Sequence, residues 1–173
     1  MSELIIIPVI ESELEKLKYL SIKTFQETFS DQNTDDNMNE YLKLNMNSCK
    51  LLNELKNPNT EFYFVYNKSS LLGYLKLNYK DAQTENVLEN KAFEIERIYL
   101  LKTFKNMGYG KQLFKKIVSI GKFKGYRRLW LGVWEQNLPA IKFYTKLKLK
   151  IFDKHDFILG NDIQTDFLMK FDF

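Results

Sequence analysis

Between Ala92 and Phe123 the spacing of apolar residues changes from every second position to helical spacing, and the change falls across two glycines. "AFEIERIYL" alternates. It predicts a strand with Glu94, Glu96, Ile98 and Leu100 on one face and Phe93, Ile95, Arg97 and Tyr99 on the other. After "KTFKNMGYG", Leu113, Phe114, Ile117, Val118 and Ile120 recur at helical intervals. A strand, a glycine turn and a helix in immediate succession commit the chain to a mixed α/β architecture.

The flanking sequence fits that commitment. "LIIIPVI" (Leu4 to Ile10) reads as a buried strand, and "SELE" from Ser12 to Glu15 has capping-box spacing. Leu14, Leu17, Leu20, Thr24 and Phe25 then predict a helix to about Phe29. Thr34 or Asp35 is placed to cap a second helix through Leu44, and "CKLLNELK" predicts a third, ending before Asn57 and Pro58. "EFYFVYN" and "LLGYLKLNY" read as a hairpin, followed by a loop over "DAQTENVLENK". "RRLWLGVWE" is a strand. "NLPAIKFYTKLK" is a helix, with Asn137 as N-cap and Pro139 in its first turn. "LKIFDKHDFILG" and "IQTDFLMKF" end the chain as two antiparallel strands. The expectation is one α/β domain over residues 1–173, with helices flanking a sheet in three layers.

Several function classes are disfavoured. The single Cys49 cannot form an internal disulfide, and one His with one Cys argues against a structural zinc site, so no metal is expected. Cys49 is expected to be a small buried hydrophobe and His155 structural, with Trp130 and Trp134 packing on one strand face. "MSELIIIPVIESELEK" lacks the basic start of a signal peptide, and no apolar run approaches a membrane span, so a reducing, cytoplasmic setting is expected.

A net charge of +4 conceals segregation. From Thr24 to Leu42 there are five acids and no base; from Arg97 to Trp134 there are ten bases and no acid. This pattern implies two sub-sites of opposite sign, two partners, or solvated helix faces. Interleaved aromatics make the basic stretch a candidate nucleic-acid surface, but its apolar residues fall at core spacing and no helix-turn-helix or RRM pattern is present, so no nucleic acid is expected.

"KNMGYG" (Lys105, Asn106, Met107, Gly108, Tyr109, Gly110) is either an ordinary turn or an anion cradle. The first N–H groups of a helix have no internal partner and carry the positive end of its dipole. Lys105 and Lys111 add charge. The loop matches neither GxxxxGK[ST] nor the three-glycine dinucleotide fingerprint.

The ordered series "IERIYL", "KNMGYG" and "WLGVWEQNLPAIKFY" resembles the GCN5-related N-acetyltransferase (GNAT) superfamily. "LSIKTFQETFSDQNTDDNM", "YKDAQTEN" and "IQTDFLM" add a similarity to PaiA-type acetyltransferases, which resemble spermidine and diamine N-acetyltransferases. The resemblance implies a mostly antiparallel, splayed sheet and acetyl-CoA as co-substrate. It implies pyrophosphate contacts from Lys105 to Lys111, and contacts to the pantetheine arm from Ile98, Tyr99, Leu100, Asn137 and Ala140. Tyr144 would lie near the thioester sulfur; seven residues after Asn137, it shares a helix face with it. Lys105 replaces the usual Arg or Gln, keeping a cation but losing the bidentate fork. Lys148 stands where a glycine C-cap is usual, at a cost of about 1 kcal/mol unless the helix ends differently.

Acetyl transfer needs a neutral amine. Neutralising an alkyl ammonium of pKa ~10.4 at pH 7 costs about 4–5 kcal/mol. Glu96 is the expected base or water-positioning group, with Glu94 second, unless both are merely surface strand residues. Glu27 and Asp31 of the acidic stretch join them as expected acceptor contacts. Tyr144 would protonate the leaving thiolate. The expected acceptor is a polyamine or related small amine; a protein lysine or N-terminus, or a non-catalytic acetyl-CoA-binding regulator, are the alternatives. Monomer and homodimer stay open.

Overall fold

The computed structural model describes residues 3–85 and 91–173. Among them the chain runs through β1 (Leu4–Pro8), α1 (Leu14–Phe29), α2 (Asp35–Asn45), α3 (Ser48–Lys56), β2 (Thr60–Asn67), β3 (Ser70–Asn78), β4 (Ala92–Leu100), α4 (Tyr109–Phe123), β5 (Arg128–Trp134), α5 (Leu138–Lys146), β6 (Lys150–Leu159) and β7 (Asp162–Asp172). The strands form one sheet in the order β1-β2-β3-β4-β5-β7-β6. Among the described residues only the β4–β5 pairing is parallel. Part of the loop expected after β3, residues 86–90, lies outside the described residues.

Apolar stripes place the helices. Leu113, Phe114 and Ile117 of α4 and Tyr144 of α5 pack on one face of the sheet, against Phe93, Ile95 and Leu131. Leu17 and Leu20 of α1 and Leu51 of α3 cover the other face over Phe62, Phe64 and Tyr74. Phe25 joins Met38 and Leu42 of α2 over Leu159. This gives the three expected layers.

Local details depart from expectation. The first strand stops at Pro8, and a 3-10 turn at Glu11–Glu13 precedes α1, so Glu13 reaches back to the Ile10 N–H and the Ser12–Glu15 box does not form. Thr34 caps α2 by accepting from the Asn37 N–H. Cys49 is exposed, not buried, because α3 turns Leu51 inward instead.

Two irregularities in β4 matter most. Lys76 of β3 faces Arg97 while Leu77 faces Ile95, so Glu96 is an extra, bulged residue. A bulge breaks the alternation of a strand. Ile98 and Leu100 therefore pack with Phe93 and Ile95 under α4 and α5, while Arg97 and Tyr99 turn toward α1–α3 together with Glu94 and Glu96. The unbroken alternation expected from "AFEIERIYL" does not hold. Second, β4 pairs with β5 only over Ala92–Glu94 against Arg128–Trp130. Beyond Glu94 the strands part, β4 remaining bonded to β3 and β5 to β7.

After α5 the chain reverses at Lys148, whose φ is 73°. Its N–H donates to the Thr145 carbonyl (2.9 Å) and that of Leu149 to the Tyr144 carbonyl (3.0 Å), satisfying the last turn. The helix thus ends in the left-handed geometry that favours glycine. Lys148→Gly is expected to stabilise the protein by about 1 kcal/mol, read as a higher urea midpoint at unchanged slope.

Candidate active site

The glycine loop leaves a 3-10 turn, Lys102–Phe104, whose Lys102 N–H donates to Glu27 Oε2 (2.7 Å). Asn106 (φ 63°) and Gly108 (φ 79°) then adopt left-handed conformations, and α4 begins at Tyr109. Such winding turns consecutive N–H groups toward one concavity, ahead of a helix whose first amides lack internal partners. Met107 and Lys111 are exposed and Tyr109 is half-buried. Gly110 already lies inside the helix. A Cβ there would come within 3.0 Å of the Phe143 ring, so its glycine serves the close packing of α4 on α5 rather than the turn. Lys105 Nζ donates to Thr28 Oγ1 (3.2 Å); partial burial lowers its pKa, opposed by the Glu27 carboxylate.

Glu27 was expected beside the acceptor, but its carboxylate caps this loop. Asp31 is exposed on the 3-10 turn after α1.

The gap between β4 and β5 opens next to the loop. There β4 has lost β5 as a bonding partner, so backbone groups of Ile98, Tyr99 and Leu100 border the opening. The Tyr99 side chain is half-buried toward α1–α3 and stacks on Tyr74, with ring centroids 5.9 Å apart. On α5, Asn137 Oδ1 accepts from the Ala140 N–H (3.2 Å), fixing the first turn. Tyr144 is buried; desolvation alone raises its pKa well above that of a free phenol, so its hydroxyl keeps its proton at neutral pH.

The bulge brings four buried or largely buried charges together. Glu96 lies 2.5 Å from Lys76 Nζ and 3.2 Å from Arg97, and Glu54 of α3 bridges Lys76 (3.1 Å) and Arg97 (3.2 Å). Burial alone would raise the Glu96 pKa, but Arg97 and Lys76 together hold it below the usual carboxylate range. Glu96 is therefore a weak proton acceptor. Glu94 differs: burial, and then the Glu96 charge, raise its pKa. Its oxygens accept from Thr84 Oγ1 (2.6 Å), the Thr84 N–H (2.8 Å) and Asn78 Nδ2 (3.0 Å).

Three consecutive residues fasten the loop after β3 to three strands. Gln83 Oε1 accepts from Trp130 Nε1 on β5 (2.7 Å), Thr84 binds Glu94 on β4, and Glu85 Oε1 lies 2.9 Å from His155 Nδ1 on β6. His155 Nε2 is 3.9 Å from Asp166 Oδ2 on β7. Asp166 and Glu85 raise the His155 pKa to about 9 against partial burial, so the ring is charged at neutral pH. Sequence reasoning missed the Glu54–Lys76–Arg97 set and the Glu85–His155–Asp166 set, since both are assembled from distant segments. Lys76 inside the apolar run "LLGYLKLNY" was the one local sign that a buried charge needed a partner.

A left-handed glycine loop ahead of a helix N-terminus, a parallel strand pair that parts after three residues and a buried tyrosine thus adjoin one another. The model of the acetyltransferase (GNAT) family matches residues 15–148. An uncharacterized N-acetyltransferase of the pepI 3' region in Lactobacillus delbrueckii subsp. lactis is 43% identical over 165 residues, 95% of each chain. The PaiA N-acetyltransferase of Thermoplasma acidophilum, solved with coenzyme A, superposes over 100% of both chains with a TM-score of 0.79 at 24% identity. A probable acetyltransferase of Staphylococcus epidermidis ATCC 12228 gives 0.76 at 13% identity, over 98% of each chain. The chain belongs to the GNAT family and is an acetyl-CoA-dependent N-acetyltransferase.

Two outcomes follow from the electrostatics. Glu96→Gln leaves Lys76 and Arg97 short of a buried counter-charge and should cost about 3 kcal/mol of stability, measured by urea unfolding. His155 has a folded-state pKa raised from 6.5 to about 9. Its contribution to stability is therefore complete below pH 6.5 and lost as pH rises through 9. His155→Gln should remove that part of the decline in melting temperature across this window.

Proposed function

We propose that the protein transfers acetyl directly from acetyl-CoA to a primary amine of spermidine, spermine or a related small amine, in a cytoplasmic setting. The observation that supports this most is the set of carboxylates gathered on the α1–α3 face of the sheet, beside the parting of β4 and β5. A cationic acceptor would approach from that face, while the glycine loop and α4 take the phosphates of the co-substrate. Lys105 to Lys111 would hold the pyrophosphate. Backbone groups of Ile98 to Leu100, together with Asn137 and Ala140, would hold the pantetheine arm.

The ammonium must lose a proton before attack. Glu94, whose pKa is raised, is the more basic of the two strand carboxylates and would take that proton through water. Glu96, held by Lys76 and Arg97, would orient that water rather than accept the proton. The amine nitrogen then bonds to the acetyl carbon, the C–S bond breaks, and the buried Tyr144 hydroxyl protonates the departing thiolate; the second proton that nitrogen sheds as the amide forms returns to the Tyr144 oxygen through water. Backbone N–H groups of β4 would stabilise the oxyanion.

The test is thiol release from acetyl-CoA across a panel of polyamines, diamines and lysine peptides. Turnover with peptides alone would overturn the small-amine reading. Tyr144→Phe should lower kcat about a hundredfold with the Kd for CoA unchanged. Unchanged turnover would remove Tyr144 as the acid.

A further inference from the structure

We propose that an alkylammonium end of the acceptor is received over Gly132, between Trp130 and Trp134, by the carboxylate of Asp166, which makes Asp166 a specificity-determining residue. This deepens the small-amine reading and rests on it for the identity of the acceptor.

The geometry starts from "WLGVW". β5 is an interior strand, with β4 on one side and β7 on the other. Trp130 and Trp134 are both buried, while Gly132 between them is exposed. Residues two apart share a strand face, so the sequence builds a notch: two large aromatic walls and a floor with no side chain. The notch lies on the α1–α3 face, since Leu131 and Val133 pack on the α4–α5 face and Trp134 meets Phe29 of α1 (ring centroids 6.4 Å apart); a Cβ on Gly132 would lie 3.3 Å from Asp166 Oδ2 and 3.6 Å from His155 Nε2. It sits on the part of β5 that has left β4, beside the opening where the thioester is expected.

The notch is bordered by the Asp166 carboxylate and by the His155 ring, whose charge Glu85 counters at Nδ1. Asp166 Oδ1 is buried and has no hydrogen-bond partner among the described residues. An unpaired buried carboxylate oxygen is costly, so this carboxylate is short of donors, and a ligand in the notch would supply one to Oδ2, the oxygen nearest Gly132. His155 is anchored at Nδ1 by Glu85 and faces Asp166 with Nε2. Two carboxylates around one imidazolium leave one negative charge uncompensated. Tryptophan is the strongest aromatic partner for an ammonium group. The two strand carboxylates are already committed, Glu94 to Thr84 and Asn78, Glu96 to Lys76 and Arg97. Asp166 is the carboxylate whose Oδ2 faces the notch, 3.9 Å from His155 Nε2 and so beyond hydrogen-bond distance of it.

The test separates binding from turnover. Spermidine is titrated by calorimetry into the complex of the protein with CoA, for wild type, Asp166→Asn and Gly132→Ala. Asp166→Asn should weaken spermidine about tenfold or more, leaving the Kd for CoA unchanged. Gly132→Ala keeps the carboxylate but fills the notch, and should also weaken spermidine while CoA binding reports that it is folded. Spermidine affinity unchanged in Gly132→Ala and in folded Asp166→Asn, or no spermidine binding to wild type, overturns the proposal. Asp166-dependent binding without acetylation of any amine upholds this site and sinks the transfer reading. Acetylation of spermidine that both variants leave untouched does the reverse.

Discussion

A strand that leaves its neighbour strands a row of backbone N–H and C=O groups, and buried groups of this kind must be bonded elsewhere. β4 and β5 part after Glu94 and Trp130, yet neither strand unravels. Each is held on its far side, β4 by β3 as far as Leu100 and β5 by β7 as far as Trp134. The inner edges are left with unspent hydrogen-bonding capacity facing one another across a gap. An extended molecule with amide groups of its own is the natural occupant of such a gap, in the manner of strand addition to a sheet edge. The glycine loop lies at the mouth of that gap because it continues directly from β4.

The bulge at Glu96 decides what faces the gap from each side. Without it, Ile98 and Leu100 would point toward α1–α3, and Arg97 and Tyr99 would be driven into the apolar layer under α4 and α5. Glu54, Lys76, Glu96 and Arg97 hold the bulge in register, since sliding β4 by one residue would leave buried charges unpaired. Buried ion pairs of this kind contribute more to specifying one arrangement than to net stability.

Much of this was legible in the residues. β4 was read with its observed limits, because alternation and flanking turns bound it on both sides. Asn137, and either Thr34 or Asp35, read as caps because such side chains can accept from N–H groups two or three residues on; Thr34 is the one that does so. The bulge was not legible: nothing in "EIERIYL" distinguishes a continuous strand from one with an extra residue until Lys76 and Glu54 arrive from elsewhere in the chain. Gly110 was read as part of the turn, but its cause is Phe143, thirty-three positions later in sequence and resolved only by the packing of two helices. His155 reads as structural in isolation, and acquires its charge only when β6, β7 and the loop after β3 meet.

Basic residues cluster on the segment that leaves β4 and runs through α4, while Glu54, Glu94 and Glu96, none of them from the acidic Thr24–Leu42 stretch, are buried beneath α1–α3, and Glu27 of that stretch meets the glycine loop instead. The sheet lies between these two regions, which meet at the gap and where Glu27 and Thr28 of α1 bond Lys102 and Lys105. A polyanion attracted to one side and a polycation attracted to the other would be kept apart by the sheet along most of its area, and long-range steering would bring each to its own mouth. The gap is then the one place where the two can touch. Direct transfer of the proposed kind would use that arrangement, because both reactants would have to be held at once.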